Sequence, residues 1–155
     1  MGRAFILYLI HRYEEAIECA SQAIEMESTA ERARLILAVA QAEGGHPRQA
    51  VETCEDLARR FPDSRGVPGA LAYALARSGS VERARGILRA AARSGAEPLG
   101  LAMAWTALGD LDHAFRCLGK ADWDTTNVDL LVLSAAFDPL RSDPRYRSLR
   151  ASLGL

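Results

Sequence analysis

The stretch HPRQAVETCEDLARRFP, residues 46–62, decides the fold, because its local pattern occurs three times at one spacing. The pattern returns as RYEEAIECASQAIEME at 12–27 and as SVERARGILRAAARSG at 80–95. The alanines that define it are Ala16, Ala50, Ala84 and, in a fourth unit, Ala114. The first three are 34 residues apart, and the fourth follows after 30. A small residue at this position predicts two helix backbones in close approach, where a larger side chain would cost about 1–3 kcal/mol.

Apolar residues recur at helical spacing along almost the whole chain, and no alternating strand pattern appears. Glycine and proline residues separate the helical stretches and leave only short turns between them. The predicted helices span 2–10, 13–26, 30–43, 47–60, 66–77, 81–93, 98–108, 111–120, 128–137 and 144–152. The sequence therefore predicts an all-α chain built from short antiparallel helix pairs.

A 34-residue helix–turn–helix period with small residues at the helix crossings resembles the tetratricopeptide repeat. The resemblance covers residues 1–121 and implies about four units in a right-handed superhelical solenoid, the first unit shortened at its N-terminus. Residues 122–155 break the period, and we expect them to cover the last unit as a capping helix pair. One of these helices should end at Phe137, before Asp138-Pro139, and Asp143 should cap the other.

The phrase FDPLRSDPRYRSL, residues 137–149, resembles the C-terminal ends of such repeat regions in bacterial signalling proteins. It implies a bacterial source. It also raises an alternative function, in which the chain is the C-terminal regulatory or sensor fragment of a larger bacterial kinase, cyclase or transcription regulator.

The leading expectation, implied by the family resemblance, is a non-enzymatic scaffold that binds an unidentified protein or peptide in a concave groove. In this family the first helix of each pair lines that groove. Carrying the repeat register along the chain gives the expected partner-binding residues Phe5, Tyr8, Arg32, Leu35, Val39, Glu43, Tyr73, Arg77, Leu99, Met103 and Thr106. Aromatic residues, methionine and arginine are enriched in protein interfaces. The alternative that these side chains only pack between repeats remains open.

No catalytic, cofactor-binding or metal-binding set of residues is recognisable in the sequence. His11, His46 and His113 fall at helix starts or turns, without a nucleophile at the spacing of a known motif. The acidic loop 122–129 lacks the glycine and glutamate that a calcium-binding loop needs. We therefore expect no enzyme activity, no cofactor and no metal.

The charge pattern excludes some classes of partner. The formal net charge of −1 gives no general attraction to nucleic acid or to an anionic membrane. Arg85, Arg89 and Arg93 form a helical stripe that could bind phosphate or an acidic partner. Because no stacking aromatics are interleaved with it, the sequence favours a solvated outer face. Three cysteines, an odd number without metal spacing, favour a reducing compartment and a cytoplasmic location.

The first helix carries the only dense apolar run, AFILYLI at residues 4–10, which is too short to span a bilayer. A helix that is apolar all round must be covered on every side, and no repeat precedes this one. The sequence therefore predicts a homodimer through the N-terminal helix, with Ile6 and Leu9 at the contact. The alternative is that this surface meets an upstream domain of a longer protein.

Overall fold

In the computed structural model, which describes residues 2–27 and 30–155, the chain folds as a row of helix hairpins. The described residues form ten α-helices and one 3-10 helix and contain no strand, which confirms the predicted all-α class. The α-helices are α1 (Arg3–Leu9), α2 (Tyr13–Met26), α3 (Glu31–Glu43), α4 (Pro47–Arg60), α5 (Val67–Arg77), α6 (Val81–Ala91), α7 (Pro98–Ala107), α8 (Leu111–Leu118), α9 (Thr125–Leu133) and α10 (Pro144–Ser152). For α1–α8 and α10, the bounds predicted from the sequence agree to within two residues.

The hairpin turns share one backbone geometry, which sets the register of the repeat. Gly45, Gly79 and Gly109 have φ values of +90°, +83° and +75°, in the left-handed region that glycine adopts without steric cost. The N–H of the residue after each glycine donates to a carbonyl five residues back, at 2.8–3.0 Å. This bond satisfies a carbonyl that the end of the helix leaves free. In the first hairpin His11 takes the place of glycine, with a φ of +63°.

The recurring alanine of the second helix in each pair is buried in all four units. Ala16, Ala50, Ala84 and Ala114 are each 0 % exposed. The helices that carry the first two alanines, α2 and α4, each pack against the helix before them and the helix after them. The burial agrees with the close approach predicted from the 34-residue period.

The helices of the pairs form two faces of the array. The first helices, α1, α3, α5 and α7, form what we call the inner face, and α2, α4, α6 and α8 form the outer face. In the regular part of the array, each first helix packs extensively on the second helix before it, as α3 does on α2 and α5 on α4. The fourth unit differs, because α7 packs along α5 and hardly touches α6.

Two glycines allow this close packing of α7 on α5. A Cβ added to Gly69 would lie 2.6 Å from the carbonyl carbon of Gly100 and 2.8 Å from its Cα. No real Cβ atom tolerates such a distance to a backbone, so the two helices can approach this closely only without a side chain here. The fourth unit is therefore shifted away from α6 and towards α5.

The C-terminal segment departs from the expected helix pair. The helix predicted over 128–137 is divided into α9, which ends at Leu133, and a 3-10 helix, Ala135–Leu140. Ser134 separates them: its backbone is extended, and its hydroxyl accepts a hydrogen bond from the N–H of Ala136 at 3.2 Å. The helix therefore ends four residues before the point at which Pro139 would force it to end.

The predicted start of α10 is confirmed, whereas the predicted start of α9 is wrong. Asp143 caps α10 as predicted, accepting a hydrogen bond from the N–H of Arg145 at 2.9 Å. α9 begins at Thr125, three residues earlier than predicted, because Asp124 caps it by accepting from the N–H of Asn127 at 2.8 Å.

The same segment also reaches the first helix of the array. The hydroxyls of Tyr8 in α1 and Ser134 hydrogen-bond at 2.7 Å, and the ring nitrogen Nε2 of His11 lies 2.9 Å from the carbonyl oxygen of Leu133. Phe137 is fully buried against the last pair. Residues 125–140 thus contact both the last hairpin and α1, whereas the sequence suggested a cover for the last unit alone. The proposed boundary between residues 121 and 122 stays a prediction.

Candidate functional site

An apolar cavity of about 270 Å³ opens on the inner face. All four first helices contribute to it, and α9 closes one side. Its lining includes the predicted groove residues Phe5, Tyr8, Arg32, Leu35, Val39, Tyr73, Leu99 and Met103. The repeat register therefore brings together side chains that are about a hundred residues apart in the sequence.

The lining divides into a buried floor and an open mouth. Tyr8 and Tyr73 are each only 1 % exposed and form part of the floor. Phe5 and Leu35 are half-buried, and Arg32 is exposed, so these residues lie where a ligand would enter. Burial raises the pKa of the Tyr8 phenol well above its usual range, and the hydrogen bond between Tyr8 and Ser134 offsets only part of this effect. The tyrosine is therefore a neutral, fixed wall of the cavity.

Three of the predicted residues do not line the cavity. Thr106 is 2 % exposed, and its hydroxyl donates to the carbonyl of Ala102 at 2.8 Å, which makes it an internal part of α7. Glu43 and Arg77 face each other at 4.0 Å beside the C-terminal segment. The sequence placed these two in the groove because α9 and the 3-10 helix were not expected to cover that part of the inner face.

The environment of Glu43 is unusual for a carboxylate. Its side chain is only 7 % exposed, and Oε1 has no hydrogen-bond partner among the described residues. Burial raises the pKa of this carboxyl group; Arg77 opposes the shift, and Asp138 on the 3-10 helix adds to it. The pair therefore links α3 to α5, with the carboxylate buried and the guanidinium partly exposed.

Some lining residues were not predicted from the sequence. Ile36 follows Leu35 directly, and a wider apolar stripe along α3 would have included it. Asn127 and Leu130 come from α9, and no signal in the repeat period could place them on the inner face. They add the wall that turns an open groove into a cavity.

The polar groups of the cavity are few, and one already has a structural role. The carboxylate of Glu97 accepts a hydrogen bond from the N–H of Gly100 at 3.0 Å and so caps α7. Arg32 has no carboxylate within ion-pair distance among the described residues. An apolar enclosure with one exposed guanidinium at its mouth can hold an apolar side chain and attract a nearby acidic group.

The described part of the chain shows no grouping typical of a metal centre. It contains no cluster of three or more His, Cys, Asp or Glu side chains that could hold an ion. Each histidine has a partner near a helix end: His11 has the Leu133 carbonyl, His46 has Glu14 at 3.0 Å, and His113 has Asp110 at 2.9 Å. None of the helices described is both long enough and apolar enough to cross a membrane.

Comparison with known proteins places the regular part of the array in a family. A family model described as tetratricopeptide repeat matches residues 11–67, which run from the first hairpin turn to the start of α5. No curated protein and no solved structure matches the chain. The alternative function as a fragment of a larger signalling protein therefore stays a prediction. Residues 11–67 are similar to the tetratricopeptide repeat family, and the turns and buried alanines of the later hairpins continue their register.

Proposed function

We propose that the chain is a protein-interaction scaffold that binds a peptide or protein segment by taking an apolar side chain into the inner-face cavity. The observation that carries this proposal is the cavity itself, to which every first helix of the array contributes. Tetratricopeptide repeats generally act as interaction modules, which supports the broad assignment. The apolar lining, with Leu35 and Phe5 at its mouth, supports the finer one.

The size of the cavity limits what can enter. Its volume of about 270 Å³ lies just below the roughly 300–1,000 Å³ of pockets that enclose small-molecule ligands. It suits one or two side chains better than a whole helix. α9 forms one wall of the cavity, so the partner makes a local contact there and does not lie along the full array. The guanidinium of Arg32 favours an acidic residue next to the apolar anchor.

The test is a selection of peptides on the intact chain. A random peptide display library is selected against the purified protein, and the enriched peptides are titrated by fluorescence anisotropy. Ala70 lines the cavity and is 8 % exposed, so Ala70→Leu should fill part of the space and weaken binding by about tenfold or more. Ala151→Leu, on the exposed part of α10, is the matched control and should bind normally.

Leu35→Asp at the mouth gives a second, independent variant. It should weaken the same peptides, and circular dichroism melts of each variant establish that the fold is kept. Peptides that bind wild type, Ala70→Leu and Leu35→Asp equally well would show that the cavity is not the site. Failure of the selection to enrich peptides with an apolar anchor would also contradict the proposal.

We also propose self-association through α1, with Ile6 and Ile10 at the contact in place of the Ile6 and Leu9 predicted from the sequence. Ile6 and Ile10 are 47 % and 55 % exposed, whereas Leu9 is buried and cannot form the contact. Two exposed isoleucines one helical turn apart give a small apolar patch that a second copy could cover by two-fold pairing. Light scattering should show a concentration-dependent dimer that Ile6→Glu with Ile10→Glu abolishes and Val81→Glu on α6 does not. A wild-type monomer at every concentration tested would disprove it.

A further inference from the structure

A second and larger cleft opens on the outer face, between α6 and α8. Its volume is about 780 Å³, and it is strongly basic. The cations that line it are Arg65, Arg85, Arg89, Arg93, Arg116 and Lys120. The arginine stripe of α6, expected from the sequence to be a solvated face, is therefore one wall of a cleft whose other wall is α8.

Most of this positive charge is not neutralised within the chain. Asp110 is the only carboxylate among the described residues that line the cleft. It is already engaged, because it accepts hydrogen bonds from the backbone N–H of His113 at 3.1 Å and from the His113 ring at 2.9 Å. In the described chain no carboxylate lies within ion-pair distance of Arg89 or Arg93. The cleft thus presents several guanidinium groups that a ligand could pair.

The depth of the cleft comes from the packing of the fourth unit. Since α7 lies against α5 and hardly touches α6, the space between α6 and α8 is not filled. The connecting loop is held in place by Arg65, whose Nε donates to the carbonyl of Gly95 at 2.7 Å. Leu88, Leu101 and Ala96 line the cleft below the charged groups. The result is a concave site with charged walls and an aliphatic floor.

We propose that this cleft binds an acidic segment of a protein partner in which carboxylate side chains alternate with apolar ones. Guanidinium groups bind carboxylates with two parallel hydrogen bonds, which favours arginine over lysine where carboxylates are recognised. Arg85 and Arg89 are four residues apart and so lie about 6 Å from each other along the axis of α6. Arg93 follows in the turn after the helix. The aliphatic floor takes up the apolar side chains of the segment between the charged contacts.

The same features disfavour nucleic acid as the occupant. Single strands bind by stacking their bases on exposed aromatic rings. The only aromatic side chains among the described lining residues are Trp105, which is 8 % exposed, and His113, which is stacked on it at 4.4 Å between ring centroids. With the indole almost buried and one of its faces already covered, no stacking platform for bases is left.

This site is separate from the inner-face cavity. The two share no lining residue and lie on opposite faces of the array. A failed peptide selection at Leu35 and Ala70 therefore says nothing about the outer cleft, and the reverse also holds. If both sites bind, the scaffold can hold two partner segments at once.

The experiment uses fluorescein-labelled pools of short peptides on the intact chain, followed by anisotropy. In the first pool Asp or Glu alternates with Leu, Ile, Val or Phe; in the second, Asn and Gln replace the acids; the third probe is oligothymidylate. We expect the first pool to bind, the second to bind at least about tenfold more weakly, and binding of the first to fall with added salt.

Variants then place the binding in the cleft. Arg89→Gln with Arg116→Gln should reduce binding of the acidic pool about tenfold or more. Arg83→Gln on the same helix is the matched control, because Arg83 lies outside the lining and pairs with Glu55 at 3.0 Å. Bound peptide should also change the emission of Trp105, and Trp105→Phe should remove that change.

Each outcome decides the proposal. Binding of the acidic pool that Arg89→Gln with Arg116→Gln weakens and Arg83→Gln does not supports it. Three outcomes overturn it: no binding of the acidic pool, equal loss in Arg83→Gln, or tighter binding of oligothymidylate than of the acidic pool. Salt-sensitive self-association that the double variant abolishes, without peptide binding, would assign the cleft to a second copy of this chain.

Discussion

Two gaps between successive second helices of the outer face can be compared directly. Between α4 and α6 the gap measures about 250 Å³ and is lined by small and apolar residues, among them Phe61, Pro62 and Leu71. Between α6 and α8 it measures about 780 Å³ and is lined by arginines. The two gaps occupy equivalent places in neighbouring repeats, yet only the second is a charged cleft.

The difference lies in the helix behind each gap. α5 packs against both α4 and α6 and so closes the first gap from the inside. The connections before α5 and α7 have the same length; the step from Ala84 to Ala114 is only 30 residues because α6 (11 residues) is shorter than α4 (14 residues) and α7 (10 residues) is shorter than α5 (11 residues). α7 leans on α5 through Gly69 and Gly100. The hairpin period thus fixes the packing within each unit, while the lengths of the helices at the junction and the side on which the next first helix packs decide whether the surface between two units is closed or open.

The largest expected effect comes from a substitution at Gly69, whose close contact with Gly100 holds α7 against α5 and distinguishes the second gap from the first. Gly69→Ala places a Cβ 2.6 Å from the backbone of Gly100, which cannot move as a flexible side chain would. We expect a loss of about 3 kcal/mol in the free energy of unfolding, at the upper end of the cost of overpacking. Urea denaturation measures it.

A glycine without a neighbour serves as the control for this prediction. Gly86 lies inside α6, and a Cβ there would meet nothing within 4 Å. Gly86→Ala should therefore stabilise the protein by about 0.5–1 kcal/mol, the ordinary helix preference for alanine over glycine. If both variants had the same unfolding midpoint, the close packing of α5 and α7 would be wrong.

The next effect compares an alanine of α6 that lies inside the repeat packing with the alanine that directly follows α6 and lies on the cleft wall. Ala84 is 0 % exposed, so Ala84→Leu, like Ala50→Leu in α4, should cost about 2 kcal/mol by overpacking. Ala92, at the end of α6, is exposed in the cleft, and Ala92→Leu should change stability by less than about 0.5 kcal/mol. Equal destabilisation at Ala84 and Ala92 would mean that the cleft is closed in solution.

Much of this fold could be predicted because its signals are local and repeated. The buried alanines, the turn glycines and the helix ends follow from the 34-residue spacing, and the same register brought Phe5, Leu35 and Met103 to one cavity. The repeat register could predict lining residues only on the helices of the repeats, and not on α9, which forms the remaining wall of the cavity. Thr106 shows the limit, since helical register alone cannot tell an inner-face residue from one that is bonded within its own helix.

The parts that could not be predicted depend on contacts between distant segments. Ser134 ends α9 through its backbone and its own hydroxyl, and within an apolar run it gives no recognisable stop signal. Its bond to Tyr8 joins residues more than a hundred positions apart, and nothing in the period indicates it. Likewise, the contact of Gly69 with Gly100 turned the arginine stripe of α6 into a cleft wall, although the sequence favoured a solvated face.

The smallest effect concerns the N-caps of the two second helices that border the cleft. Asp110 caps α8 through the backbone N–H of His113, whereas Ser80 at the start of α6 makes no such side-chain bond. Asp110→Ala should cost about 1 kcal/mol, and Ser80→Ala less than about 0.5 kcal/mol.

Burial tends to raise the pKa of Asp110, but the hydrogen bonds and charge of His113 outweigh it, so the pKa is lowered overall from 3.8. A carboxylate with a lowered pKa in the folded state stabilises fully above the unfolded value and loses this contribution as pH falls through the folded one. The deficit of Asp110→Ala against wild type should therefore be constant at neutral pH and shrink below pH 3.8, while that of Ser80→Ala stays small throughout. Urea midpoints of the three proteins at neutral and acid pH measure this, and a deficit for Asp110→Ala that does not change with pH would show that its carboxylate is not the capping group.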